Sequence, residues 1–412
     1  PPLLEAVGTC ESAVVNIKNL IPFIYFVPVA GLIAMATADV DTALIESNNQ
    51  FTAKMFDEVV KSDPGKSVIM SGFSVLPPLA QLALASVGES HDELLRAIGL
   101  PNDNVTKEVF TSINTKLRDV KGVELKMANR IYIAQDAELN PTFAALSRDV
   151  FNSDVKNVNF PDASNAAKEI NTWVEEQTNN KIKDLVDPKL LDPLTRAVLV
   201  NAIYFKGSWK IPFHKPFTRE GDFHVTRAKT VKVPFMRKTA IYKYAESSEL
   251  DAKLLELPYE GEESSLLIVL PNNMEGLNYL QDKMKDRTAL SKAVDSMKTR
   301  EVDVTFPKFK IETTTDLKKI LQKMEVSKLF NPDMARLENL LVKESNVYIN
   351  TAIQKAFLEI NEEGTEAAAA NEFGISYLSA YVPEQHMFLA DHPFLFYIKT
   401  EGTVMFSGVY YS

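Results

Sequence analysis

The feature that most constrains the fold of this chain is an apolar run over residues 197–205, which only Asn201 interrupts. A strand with apolar side chains on both faces must be covered on both sides, so it belongs in the middle of a layered core. Residues 266–270 form a second apolar run, and the Pro-Asn-Asn that follows favours a turn. Residues 301–306 alternate between polar and apolar, as a strand with one buried face does. These segments predict a strand-rich second half of the chain.

The first half of the chain has helical periodicity instead. Apolar residues recur at roughly helical spacing over residues 41–62, 74–86, 89–98 and 164–186. Two closing strands are expected over residues 394–398 and 404–411. Helices that come mostly before strands favour an α+β fold over alternating βαβ units.

The composition excludes some partners. The 412 residues are 45% hydrophobic and 24% charged, with a net charge of −10, and no linker or repeat divides them. An acidic protein is a poor ligand for nucleic acid and is not drawn to anionic membranes. Neither is expected as a partner.

The N-terminal segment has the features of a secretory signal. Lys18 precedes an apolar run over residues 20–38, which ends in Ala-Thr-Ala. We therefore expect residues 1–38 to be an extension plus signal, residues 39–412 to be one domain, and the protein to be extracellular. A permanent membrane anchor is less favoured, because prolines interrupt the run and no basic flank follows it.

Cysteine usage and one sequon fit that interpretation. The only cysteine, Cys10, lies in the N-terminal segment, so the mature chain would have neither a disulfide scaffold nor a thiol nucleophile. Residues 104–106 read Asn-Val-Thr, and Asn104 is a predicted glycosylation site if the chain is secreted.

Common catalytic signatures are incomplete in this sequence. None of the five histidines stands in an H-E-x-x-H arrangement, and Ser74 lacks the second glycine of a nucleophile elbow. Gly65-Lys66-Ser67 resembles a phosphate-binding loop, but its partner glycine is replaced by Val60. We expect no active site, no metal and no cofactor.

The most informative segment is residues 361–379. Four consecutive alanines at 367–370 suit a short helix. With a period of two, small residues and then apolar ones face one way, and the charged residues face the other. The inward set would be Thr365, Ala367, Ala369, Asn371, Phe373 and Ile375. A segment that can be either an exposed loop or a central strand suits a conformational switch.

This segment resembles the reactive-loop hinge of the serpins, in particular secreted arthropod serpins. Further blocks follow in the family's order over about residues 45–412: residues 71–74, 201–209, 233–236, 257–259, 306–309 and 391–396. The resemblance implies an α+β serpin fold, with about nine helices around three β-sheets and an exposed reactive-centre loop.

The resemblance also implies a function. Serpins are suicide substrates: the target serine protease cleaves the loop, is held as an acyl-enzyme, and is carried along as the loop inserts into the main sheet. Such a protein is a protease inhibitor rather than an enzyme, and its partner is a covalently bound protease. A monomer is expected.

Family spacing assigns the loop residues. The hinge would be Glu362, Glu363, Gly364, Thr365, Glu366, Ala367, Ala368, Ala369 and Ala370. The scissile bond is expected fourteen residues after Gly364, between Leu378 and Ser379. Tyr377 and Tyr381 are alternatives, since the part that follows is longer than usual. Leu378 suits chymotrypsin-like or elastase-like proteases, and the two tyrosines suit chymotrypsin-like ones. Residues 371–386 contain no Lys or Arg for trypsin-like proteases.

Other positions match family residues that control opening of the main sheet. Ser71, Ser74 and Asn201 match such positions, and Trp209 matches the site near loop entry. Gln354 also belongs to this set, although the family commonly has histidine there.

Two further residues depart from the family pattern. The family has proline where this chain has Gly72. Asn371, on the inward face of the loop, is larger and more polar than usual, and it is expected to slow insertion.

Two alternative functions stay open. A non-inhibitory serpin usually has bulky, charged or proline hinge residues, whereas residues 367–370 of this hinge are four alanines. Cross-class inhibition of papain-like cysteine proteases is compatible with the loop sequence.

Overall fold

The structure, a computed structural model, describes residues 29–116, 121–343, 347–364 and 386–412. The chain divides into two units, residues 1–39 and residues 40–412. The described residues form nine α-helices: α1 (Val29–Ser62), α2 (Gly72–Ala85), α3 (Gly88–Ile98), α4 (Asp103–Lys116), α5 (Pro141–Phe151), α6 (Ala163–Gln177), α7 (Leu277–Met284), α8 (Arg287–Asp295) and α9 (Leu317–Lys323). No helix in these ranges is both long enough and apolar enough to cross a membrane.

Fourteen strands are described, most of them after residue 196. They are β1 (Val68–Met70), β2 (Val123–Ala134), β3 (Val155–Val158), β4 (Ala197–Gly207), β5 (Arg219–Thr226), β6 (Lys229–Ser247), β7 (Ala252–Pro258), β8 (Ser264–Pro271), β9 (Lys298–Pro307), β10 (Phe309–Asp316), β11 (Thr351–Ile360), β12 (His386–Leu389), β13 (Phe394–Thr400) and β14 (Thr403–Tyr410). The predicted order, helices first and strands later, is therefore confirmed.

The predicted buried strand is the centre of a five-stranded sheet. The strand order is β10-β11-β4-β2-β3, and β4 is buried along residues 197–205. Helix α2 is almost wholly buried and contacts β2 and β4 of this sheet as well as β14 of the other. Strand β4 is therefore buried, as its almost wholly apolar sequence requires.

The other nine strands form one continuous network, in the order β1-β14-β13-β8-β7-β6-β9-β12, with β5 attached to β6. Strand β6 is 19 residues long and pairs with β5, β9 and β7 along its length. Because β6 joins what would otherwise be two sheets, the described strands form two hydrogen-bonded networks rather than three separate ones. The α+β class is confirmed.

One predicted helix is shorter than expected. The helix predicted over residues 164–186 ends at Gln177. Asn179 and Asn180 have left-handed backbone angles, with φ of 52° and 58°, which a right-handed helix cannot continue through. Ile182 is nevertheless fully buried. The apolar pattern therefore correctly indicated which residues are buried, although the helix itself ends before Ile182.

Candidate functional site at the seam between β4 and β11

The site is built around the boundary between β4 and β11, which we call the seam. The two strands are parallel neighbours, with Thr351 level with Val198 and Leu358 level with Phe205. Strand β11 then leads into a turn, residues 361–364, where the described part of the hinge ends. A loop strand that enters the main sheet would have to separate these two strands.

A group of buried polar side chains lies at the middle of the seam. We call Ser71, Ser74, Asn129, Asn201 and Gln354 the central polar cluster. Gln354 is level with Asn201 on β4, and Asn201 is level with Asn129 on β2. The three amides therefore form a row across three strands. All members except Asn129 have no exposed surface.

Hydrogen bonds join this row to helix α2. The Gln354 Nε2 lies 2.7 Å from Asn201 Oδ1, 2.8 Å from the Ser71 carbonyl oxygen and 3.1 Å from Ser74 Oγ. Asn201 Nδ2 donates to the Ser74 carbonyl at 2.7 Å and to Asn129 Oδ1. The cluster thus fastens β11, β4 and the start of α2 to one another across the seam.

The start of α2 explains one departure from the family pattern. Ser71 is the N-cap, and its Oγ accepts a hydrogen bond from the Ser74 N–H at 3.1 Å. Gly72 follows, and a Cβ placed on it would lie 2.8 Å from Thr52 Cα of α1. The family's proline would collide with α1 here, whereas glycine allows the close approach.

Asn129 was not predicted as a site residue. It lies on β2 within a sequence of mixed polarity, Val-Glu-Leu-Lys-Met-Ala-Asn-Arg. Nothing in that local sequence distinguishes the asparagine from its polar neighbours. Its role follows only from the register that places it beside Asn201.

Replacing Asn201 with alanine is expected to destabilise the uncleaved protein by about 3 kcal/mol. The change leaves Gln354 and the Ser74 carbonyl short of partners, and each buried polar group without its partner costs about 1–3 kcal/mol. Urea denaturation of the variant and of the exposed control Asn159→Ala measures the effect. Equal midpoints for the two variants would contradict this reading of the cluster.

The turn after β11 closes the end of the seam. Trp209 Nε1 donates to the Asn361 carbonyl at 2.8 Å, and the Trp209 backbone N–H donates to the Glu363 carbonyl at 3.1 Å. The indole stacks on Tyr259, with ring centroids 4.5 Å apart. Gly364 has φ of +93°, and a Cβ on it would lie 2.8 Å from the Ser208 carbonyl carbon. Only glycine fits this turn.

Glu362 is the buried charge of the turn. Its side chain is 5% exposed, with Lys308 Nζ at 3.0 Å and Thr218 Oγ1 at 2.9 Å. Burial acts to raise the pKa of Glu362, but hydrogen bonds from its own backbone N–H, Lys308 and Thr218 outweigh it and lower that pKa below its usual value. Residues 306–309, which include Lys308, are one of the blocks that resemble the serpin family. The sequence alone did not predict that Lys308 pairs with Glu362.

The lowered pKa of Glu362 predicts a dependence on pH. Its contribution to stability is present above the pKa of an unfolded glutamate, about 4.3, and is lost as the pH falls through the lower folded value. Glu362→Gln should therefore melt below the wild type at pH 7, and the difference should shrink below about pH 4. Thermal melts from pH 7 to pH 3 measure this. A difference that stays constant over that range would contradict the assignment.

The structure describes only some of the remaining predicted site residues. The hinge from Thr365 to Ala370, and Asn371, Tyr377, Leu378, Ser379 and Tyr381, lie outside the described residues. Asn104 is exposed in the first turn of α4, whereas Thr106 is buried and its Oγ1 donates to the Asn102 carbonyl at 2.8 Å.

The fold and the seam agree with comparisons to known proteins. A family model described as "Serpin (serine protease inhibitor)" matches residues 46–412, and the chain belongs to the serpin family. Alaserpin of Manduca sexta is 58% identical over 382 residues, 92% of this chain and 97% of that protein. Antichymotrypsin-2 of Bombyx mori is 53% identical over 376 residues, 91% of this chain and 100% of that protein.

A solved structure shows the same fold. The crystal structure of Serpin48, described as a highly specific serpin of the insect Tenebrio molitor, matches with a TM-score of 0.82 and 36% sequence identity. The match covers 90% of this chain and 98% of that one.

Proposed function

We propose that this chain is a secreted, monomeric inhibitor that traps chymotrypsin-like serine proteases by inserting its cleaved loop into the seam. The observation that carries the proposal is the turn at residues 361–364. Asn361 and Gly364 form an antiparallel bridge, so a chain that continued this pairing beyond Gly364 would form a hairpin with β11. Its natural continuation runs back along β11, between β11 and β4.

The register of this hairpin gives the distance that a captured protease would travel. Stepping on from the Asn361–Gly364 bridge, residues 365–374 would pair with β11 from Ile360 back to Thr351. Ten residues at about 3.3 Å each span roughly 33 Å. Leu378 would then lie beyond the first residue of β11, at the opposite end of the seam from the turn.

The chemistry uses the protease's own first step. The protease serine Oγ attacks the Leu378 carbonyl carbon, the bond to the Ser379 nitrogen breaks, and that nitrogen leaves with a proton from the protease's general acid. Leu378 is then held as an ester on the protease. Insertion carries the ester along the seam before water can hydrolyse it, so each molecule acts once and contributes no catalytic residue.

The preference for chymotrypsin-like targets rests on the loop sequence. Leu378, Tyr377 and Tyr381 all offer an apolar or aromatic side chain to such a protease. The name of the Bombyx mori relative, antichymotrypsin-2, is in keeping with this preference. The names of two Bombyx mori relatives, antichymotrypsin-2 and antitrypsin, support an inhibitory role for this chain.

A thermal melt before and after loop cleavage separates this function from a non-inhibitory one. Ten inserted residues, with ladder hydrogen bonds worth about 1 kcal/mol each, predict a midpoint higher by about 10 °C. An unchanged midpoint would favour the non-inhibitory alternative. Incubation with papain in parallel tests cross-class inhibition, since a covalent papain complex would extend the target class.

A further inference from the structure

One edge of the nine-stranded network exposes apolar side chains. Among the described strands, β12 lies at the end of the strand order and pairs with β9. Met387 of β12 is 61% exposed and Leu389 is 41% exposed. The two residues are two positions apart on the strand, so they project to the same side of the sheet. Among the methionines of the described ranges, Met387 is the most exposed.

The same face continues across β9 onto β6. Met387 is level with Asp303 of β9, and Asp303 is level with Thr239 of β6. Arg237 and Ile241 lie two residues on either side of Thr239, so they share its side of the strand. Ile241 is 63% exposed. We give the name edge patch to Met387, Leu389, Arg237 and Ile241.

Arg237 is held in place on this face while most of its side chain stays exposed. Its Nε lies 3.1 Å from Asp303 Oδ1, and its Nη2 lies 2.6 Å from Asp303 Oδ2. Such a bidentate pair fixes the geometry of the guanidinium group. The side chain is 64% exposed, so its other N–H groups can donate to a partner. Methionine and arginine are both enriched in protein–protein interfaces.

The backbone edge of β12 is protected, although its side chains are not. The Ala390 N–H donates to the Thr305 carbonyl of β9. Backbone groups of successive strand residues point in opposite directions, so those of Leu389 and Met387 point toward the free edge. There Lys253 Nζ lies 3.3 Å from the Met387 carbonyl oxygen. A lysine at a strand edge opposes the addition of another strand. The edge patch therefore suits a partner that docks against side chains.

The place of the edge patch in the chain indicates which partner reaches it. Met387 lies eight residues after Ser379, the residue that follows the expected scissile bond. Eight residues extend over at most about 28 Å, whatever conformation they adopt. A chymotrypsin-like protease of about 240 residues is roughly 45 Å across. A protease that holds the bond is therefore wider than the gap between that bond and the edge patch.

We propose that the edge patch is a second docking surface for the target protease, in contact with the protease while it holds the loop. The inference rests on the proposed function, because it needs a protease at the loop. Met387 and Leu389 supply apolar contact area, and Arg237 donates to carbonyl oxygens on the protease surface. The contact acts before cleavage and speeds capture. Two proteases with the same pocket preference are then captured at different rates.

Binding of inactive chymotrypsin, in which alanine replaces the nucleophilic serine, measures docking without acylation. Met387→Glu places a charge within the apolar contact and should weaken binding about tenfold, and Leu389→Gln should weaken it about fivefold. With active chymotrypsin, the rate of covalent complex formation should fall by the same factors.

The matched control is Met334→Glu, because Met334 is also exposed. It follows the short helix at residues 328–330, which contacts the residues just before β11. This is the opposite end of the seam from the turn at residues 361–364. The control should bind inactive chymotrypsin as tightly as the wild type does.

Photocrosslinking gives a second measurement, which a change in loop conformation cannot imitate. The only cysteine in the chain is Cys10. In a Cys10→Ser background, a benzophenone probe attached to Met387→Cys should crosslink to inactive chymotrypsin. The same probe attached to Met334→Cys should not. Absence of a crosslink from position 387 overturns the inference, even if Met387→Glu binds weakly.

The outcomes separate this inference from the proposed function. Equal binding by Met387→Glu and Met334→Glu overturns the docking surface and leaves the inhibitor intact. Binding of inactive chymotrypsin that depends on Met387, without a covalent complex from active chymotrypsin, overturns the proposed trapping and keeps the docking surface. A dimer in sedimentation that Met387→Glu dissociates assigns the edge patch to a second copy of this chain and overturns the inference.

Discussion

Replacing Thr365 with arginine is expected to convert the protein from an inhibitor into an ordinary substrate. If the inserting loop continues the register of the Asn361–Gly364 bridge, residue 365 would pair with Ile360, which is 1% exposed, and an arginine there would have to be buried during insertion. Burying an unpaired guanidinium there costs several kcal/mol. A barrier higher by about 3 kcal/mol would slow insertion more than a hundredfold, so hydrolysis of the acyl-enzyme would win.

The matched control for this variant is Glu366→Arg. In the same register, residue 366 would pair with Glu359, which is partly exposed, so an arginine there would meet an opposite charge. Titration against chymotrypsin measures how many inhibitor molecules are consumed per protease. The control should stay near one, and Thr365→Arg should exceed about ten. Unimpaired inhibition by Thr365→Arg would rule out insertion at this position.

Replacing Leu378 with arginine is expected to transfer inhibition from chymotrypsin to trypsin. Residues 371–386 contain no Lys or Arg, so the wild-type loop offers a trypsin-like pocket no charged side chain. The arginine supplies one, and it removes the apolar group that the chymotrypsin pocket accepts. The rate of complex formation should fall at least about a hundredfold with chymotrypsin and appear with trypsin.

Parallel variants decide which bond is cut. Tyr377→Arg and Tyr381→Arg move the same charge to the two alternative positions. Only the variant at the true cleavage site should stop inhibiting chymotrypsin and inhibit trypsin instead, with one inhibitor molecule consumed per trypsin molecule. If Tyr381→Arg does so instead of Leu378→Arg, the assignment of the bond is wrong and the target class stands.

The sequence predicted those parts of the fold that depend on local periodicity. The apolar run at 197–205, which only Asn201 interrupts, required a buried strand, and β4 is that strand. The period of two after residue 364 predicts a potential strand rather than a helix, and this prediction concerns residues that lie outside the described ranges. Both inferences depend on which side chains a single element can bury.

The parts that were missed depend on register and on tertiary contacts. The sequence of α6 continues its apolar pattern through Ile182, and only the left-handed asparagines at 179 and 180 end the helix. Asn129 belongs to the central polar cluster because β2 and β4 pair in one register rather than another. Lys308 and Glu362 are far apart in sequence, and the chain gives no local sign that they meet.

The most direct test of the account is incubation of the full-length protein with chymotrypsin, followed by denaturing electrophoresis and mass spectrometry. If the protease is trapped as an acyl-enzyme, a complex should survive denaturation, with a mass near the sum of the two proteins less the released C-terminal peptide. The cut is expected after Leu378, or after Tyr377 or Tyr381. Cleavage within the loop with full recovery of active chymotrypsin, and no covalent complex, would contradict it.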